Sequence, residues 1–128
     1  ALFKVDLIKN GSQIIGMTSS GGRQVWKNYG AISMAKSALE SAGRQLSYEL
    51  AKYNIAVNMI QAGVTDTPAL RKIPGSIDMI DKAISMNPRK RLTTPRDIAD
   101  VVCRIAISEE TWMTGNIIKV DGGEDIIG

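Results

Sequence analysis

Residues 29–60 read YGAISMAKSALESAGRQLSYELAKYNIAVNMI, and the change of period inside this stretch decides the fold class. From about residue 29 to residue 53, Ile32, Ala35, Leu39, Ala42, Leu46 and Leu50 recur in steps of three and four, which predicts a long helix with one apolar face. The small residues Ala31, Ser33, Ser37, Ala38, Ser41 and Gly43 between them permit a second helix or a ligand to come close. At residue 55 the period is lost and a short apolar run, 55–60, takes over; its length and its Gln-Ala-Gly boundary predict a buried strand.

Working outward, 13–18 (QIIGMT) is a second short apolar run, closed by Ser19-Ser20-Gly21-Gly22, and predicts another buried strand. Before it, Leu2, Val5, Leu7 and Ile8 are spaced as on a helix that stops at Asn10-Gly11. A helix tail at the first residue leads us to expect a polypeptide that extends upstream. Downstream, 64–93 is broken by Pro68, Pro74-Gly75 and Pro88, with at most short helices such as 76–86, and a stretch of that kind is expected to act as a lid or binding loop. Thr94-Pro95-Arg96-Asp97 then starts a helix, with Thr94 as cap and Ile98, Val101, Val102 and Ile105 facing inward. A last strand, 117–120, ends at Asp121-Gly122-Gly123. The alternation predicts an α/β fold in which three parallel strands are joined by right-handed crossovers through flanking helices.

The chain has 128 residues, 44% hydrophobic and 23% charged, the balance of one globular domain. It has no histidine and one cysteine, Cys103, which excludes His-based triads, His-ligated zinc and an internal disulfide. No metal site is expected, and proton chemistry falls to Tyr, Lys, Ser, Asp or Glu. No apolar run approaches the roughly 20 residues that cross a bilayer, and the first residues lack a signal-like pattern, so a soluble cytoplasmic protein with no membrane partner is expected. The net charge is +3, yet residues 71–96 carry seven basic side chains against two acidic ones. That patch suits a phosphate-bearing ligand or an acidic protein partner. Nucleic acid is not expected, because no aromatic residue lies in the basic stretch to stack on bases.

In an open parallel sheet, ligands bind beyond the C-terminal ends of the strands. The residues there are Thr18-Ser19-Ser20, Ala62-Gly63-Val64-Thr65-Asp66-Thr67 and Asp121-Gly122-Gly123. Tyr29 and Lys36 stand seven residues apart, which puts a phenol and an ammonium on one helix face about 10 Å apart along the axis. Such a pair can donate a proton or stabilise an oxyanion. Two other motifs fail: 16–23 lacks the Lys-Ser/Thr of a phosphate loop, and 96–105 carries Asp97 and Asp100 where a DNA-reading helix would need neutral or basic groups.

With these residues in view, the chain resembles the C-terminal half of a short-chain dehydrogenase/reductase and is most similar to the enoyl-acyl-carrier-protein reductases. The strand end MTSS, the helix YGAISMAKSALES, the turn VNMIQAGVTDT and the closing GNIIKVDGG carry the resemblance, which covers nearly the whole chain. Ordinary members place the active Tyr four residues before the Lys, where this chain has Ile32; the enoyl reductases place it seven before, which is Tyr29. The resemblance implies residues 1–128 as the C-terminal part of a single Rossmann-like, doubly wound domain, and reduction of an enoyl thioester with NADH or NADPH. It implies that Tyr29 stabilises the enolate oxygen and that Lys36 holds the nicotinamide ribose. It also implies that Thr65 meets the nicotinamide carboxamide and Thr67 the pyrophosphate, with Thr18, Ala62 and Gly63 around the cofactor. Ser19 takes the place of the ordinary reductases' catalytic Ser, where many enoyl reductases have a second Tyr. The implied partners are an acyl-carrier-protein or coenzyme A thioester and further copies of the chain in a dimer or tetramer.

Two other readings remain open. One is a 3-oxoacyl or other carbonyl reductase using Tyr29 with Ser19. The other is an inactive, oligomerising fragment, since no G-x-G-x-x-G follows a strand and the adenine half of a dinucleotide site is absent from the chain. Three strands also leave the first with an unpaired apolar edge, so the length reads as half of a domain of about 250 residues.

Overall fold

The computed structural model describes residues 8–126. Its elements are β1 (Gln13–Ser19), α1 (Gly30–Leu50), β2 (Ala56–Ala62), α2 (Ser76–Met86), α3 (Pro95–Ala106) and β3 (Ile117–Val120). The helix expected over the first ten residues lies almost entirely outside the described residues. Gly11 takes a positive φ of 82°, and its N–H donates to Asn54 C=O at 3.1 Å.

The strands form one parallel sheet in the order β1-β2-β3. Central β2 is buried along its length, as a strand covered on both faces must be, and Ala56, Val57 and Ile60 have no exposed surface. On one face Val57 and Met59 pack with Ile14, Leu39, Leu50 and Ile117 beneath α1. No α3 residue joins that cluster, yet α3 touches all three strands, so it covers the other face. Both connections step the same way across the sheet but pass on opposite faces, so they have opposite hands. The expectation of right-handed crossovers therefore holds for only one of them. The second runs through the long 64–93 segment, which gives the chain room to pass around the sheet edge.

The face that α1 buries matches its apolar spacing only in part: Leu39 and Leu50 pack in the core as expected. Ala35, Ala42 and Leu46 are exposed, while Glu40 and Gly43 are buried. The reason is close approach: a Cβ on Gly43 would sit 2.6 Å from Met59 Cε, and one on Gly16 2.9 Å from the same atom. Two glycines let helix and sheet close on Met59. At α3 the expectation from sequence holds, since Thr94 caps the helix and Asp97 returns the bond to the Thr94 backbone.

Candidate active site

The strand register brings the site together. Ser19 lies opposite Ala62, and Ala62 opposite Val120, so the three strands end level and their following loops share one edge. There, a cleft of about 340 Å³ is lined by Ser19, Tyr29 and Lys36 on one side and by Ala62, Gly63, Thr65 and Thr67 on the other. Trp26, Ile32, Leu70, Ile73 and Met79 make the rest of it apolar. A second cleft of about 420 Å³ lies beside residues 87–97 and 119–123. It contains no phenol, and two of its three cations, Arg91 and Lys119, are paired with Asp97 and Asp125, while Arg89 has no such pair among the described residues.

Tyr29 is the residue just before the first turn of α1, and Lys36 follows two turns later. The Tyr29 hydroxyl lies 3.2 Å from Ser19 Oγ, a distance at which either can donate. Lys36 Nζ donates to Met17 C=O at 2.9 Å, which tethers the ammonium to the end of β1. Thr18 lies elsewhere. Side chains alternate along a strand, so while Ser19 faces the cleft, Thr18 faces α1, where it is buried and donates to Glu40 Oε1 at 2.7 Å.

Across the cleft, Gly63 permits the close passage of the strand ends: a Cβ there would lie 3.0 Å from Asp121 Cα. Thr65 Oγ1 donates to Gly63 C=O at 2.9 Å, and Thr67 Oγ1 accepts from Leu70 N–H at 3.1 Å. The Thr67 hydroxyl proton is left to donate, as a phosphate oxygen would require.

Three residues that shape the cleft were not singled out from the sequence. Gly21 is the seat of Tyr29, since a Cβ there would lie 2.7 Å from Tyr29 Cδ1. The Gly21-Gly22 pair after the strand is a visible signal, though it reads equally well as an ordinary turn. Trp26 forms a wall of the cleft, and Lys82 of α2 stands 5.5 Å from its ring centroid. Glu124 accepts from Val64 N–H, and burial holds its carboxyl above the usual range against the opposing pull of that bond. Only the fold brings residue 124 to residue 64.

The fold and site together define a doubly wound α/β protein with a hydroxyl pair and an ammonium at the ligand-binding edge of its sheet. The sequence model of the family described as "Enoyl-(Acyl carrier protein) reductase" matches residues 2–124, and the chain belongs to that family. It is 38% identical over 122 residues to the enoyl-[acyl-carrier-protein] reductase [NADH] FabI of Synechocystis sp., covering 95% of this chain and 47% of the relative. The crystal structure of the Aquifex aeolicus enoyl-[acyl-carrier-protein] reductase (NADH) superposes with a TM-score of 0.88 at 29% identity, over 97% of this chain and 48% of that one. LugOII, a promiscuous reductase that catalyses a keto-reduction in lugdunomycin biosynthesis, superposes with a TM-score of 0.80 at 32% identity, over 95% and 48% of the two chains. The chain thus spans about half the length of the curated relatives it matches.

Proposed function

We propose that the polypeptide carrying this chain reduces the 2,3 double bond of an enoyl thioester, with NADH, or alternatively NADPH, as reductant. The observation that carries this reading is the seven-residue Tyr29–Lys36 spacing with both side chains lining one cleft. Family membership and the name of the Synechocystis relative support it. The residues present fit the nicotinamide end of such a cofactor. They offer Ala62 and Gly63 lining the cleft, hydroxyls at Thr65 and Thr67, and the ammonium of Lys36.

When bound, the cofactor supplies a hydride to the β-carbon of the substrate, and negative charge then builds on the thioester oxygen. Tyr29 donates a hydrogen bond to that oxygen and stabilises the enolate. Lys36, held by Met17 C=O, keeps the site positive and would hold the ribose hydroxyls of the cofactor. Trp26, Leu70, Ile73 and Met79 exclude water around the acyl chain. The basic residues of 71–96 receive an acidic carrier protein or the phosphates of coenzyme A, and the enzyme works in the cytoplasm as a dimer or tetramer.

A second reading, reduction of a 3-oxoacyl or other carbonyl group, is favoured by one contact. Ser19 and Tyr29 hydroxyls 3.2 Å apart can both bind a single carbonyl oxygen, and the likeness to LugOII points the same way. Comparing NADH oxidation with a trans-2-enoyl thioester and a 3-oxoacyl thioester separates the two. The first should be consumed and the second not; the reverse selects the carbonyl reading. Tyr29→Phe is expected to lower kcat by about 100-fold or more with cofactor affinity little changed, whereas Lys36→Ala damages both. Full activity in Tyr29→Phe removes the enolate role.

A further inference from the structure

The turn after β3 reaches back to both ends of the segment that walls one side of the cleft. At the near end, Val64 N–H donates to the two Glu124 carboxylate oxygens at 3.2 and 3.3 Å, while Val64 C=O accepts from Thr93 N–H at 3.1 Å. At the far end, buried Asn87 donates from Nδ2 to Asp121 C=O at 2.8 Å, and its Oδ1 accepts from Arg89 N–H at 2.8 Å. Val64 lines the cleft, and Thr65 and Thr67 follow it directly.

The turn is itself a firm anchor. Asp121 accepts from Gly123 N–H at 2.9 Å and from Asp125 N–H at 3.1 Å, and Asp125 is held by Lys119 at 2.6 Å and by Gln61 at 3.0 Å. Glu124 is different from its neighbours. It is half-buried, it has the like charges of Asp121 and Asp125 beside it, and Lys82 faces it only across a small cleft. A carboxylate so placed is unfavourable unless hydrogen bonds hold its charge, and Val64 N–H, at the start of the cleft wall, donates to both of its oxygens.

We propose that Glu124 is a positioning residue for the cleft: by holding the Val64 amide with both carboxylate oxygens it fixes the start of the cleft wall, and with it the Thr65 and Thr67 hydroxyls. The consequence for cofactor binding rests on the function proposed above. The positioning itself does not, and the two are read separately in the full polypeptide: hydrogen exchange at residues 64–67 reads the positioning, and NADH affinity reads its consequence. Glu124→Ala removes the acceptor and should speed exchange there and weaken NADH binding by about tenfold each, with kcat at saturating cofactor within about threefold of the parent. Glu124→Gln keeps an oxygen for Val64 N–H and should stay within about threefold of the parent in both. Unchanged exchange at 64–67 in Glu124→Ala overturns the proposal whatever the enzyme reduces. Equal losses in both variants, together with a lowered thermal midpoint, overturn it in favour of a merely structural role. If exchange quickens as expected but the parent binds no NADH, the proposed function fails and the positioning stands.

Discussion

Tyr29 owes its place to a side chain that is absent. Its ring rests on Gly21, and a single Cβ there would come within 2.7 Å of Cδ1, closer than carbon atoms approach without one of them moving. Gly21→Ala should therefore displace the phenol from Ser19 and lower kcat at least about tenfold, since small misplacements of a reacting group cost heavily. Gly30→Ala is the control: nothing lies within 4 Å of a Cβ at that position, one residue from Tyr29, and activity should be unchanged. Equal activity in the two variants, measured with the same enoyl thioester, would dismiss the seat. At this scale the sequence was informative about Tyr29 and Lys36, because helical spacing alone puts them on one side. It could tell that Thr18 and Ser19 face opposite ways, but not which of them meets the cleft, since that depends on where α1 packs.

Helix α3 shows how far local chemistry can carry an element. The Thr94 side chain accepts from Asp97 N–H, the Asp97 carboxylate accepts from Thr94 N–H at 2.8 Å, and Arg91 grips the same carboxylate at 2.7 and 2.9 Å. Thr94→Ala should cost about 1 kcal/mol of stability, read by denaturant unfolding. The Arg91 bonds first, and then those from Thr94, hold the Asp97 carboxyl well below the usual carboxylate range. A group whose pKa is depressed on folding stabilises the fold above its unfolded value and loses that contribution as pH falls. The Asp97 contribution is thus complete above about pH 4 and fades in stronger acid, and Asp97→Asn should flatten that part of the acid-unfolding curve. An unaltered acid limb would show that the box adds nothing. Helix α1 is the opposite case. Its apolar spacing predicts the buried face only in part: Leu39 and Leu50 pack in the core, but Gly16 and Gly43 let the helix close on Met59 and leave Leu46 exposed.

Across the whole molecule, charge is distributed unevenly. The net charge is +3, but the stretch 71–96 holds seven cations against two anions, and Lys72 and Arg89 within it are exposed. Such a field favours encounter with an acidic partner and weakens as salt rises. Reversing both charges, Lys72→Glu with Arg89→Glu, should raise KM for an acyl-carrier-protein thioester several-fold and make it less sensitive to salt. KM for a small uncharged thioester should stay the same. A carrier-protein KM that ignores the reversal would remove this surface from substrate delivery.

What the sequence determined by itself is what depends on near neighbours along the chain. The three strands, the long first helix, the capped third helix and the shared face of Tyr29 and Lys36 follow from period, capping chemistry and turn residues, all of which act within about two helical turns. What only the tertiary structure decided depends on atoms far apart in sequence but close in space. Packing on Met59 chose the buried face of α1, and the sheet register brought Ser19, Ala62 and Val120 level. The return of the last turn set Glu124 against Val64 and Asp121 against Asn87. No local pattern encodes such contacts, because the free energy that selects them arises only when whole faces close on one another and exclude water.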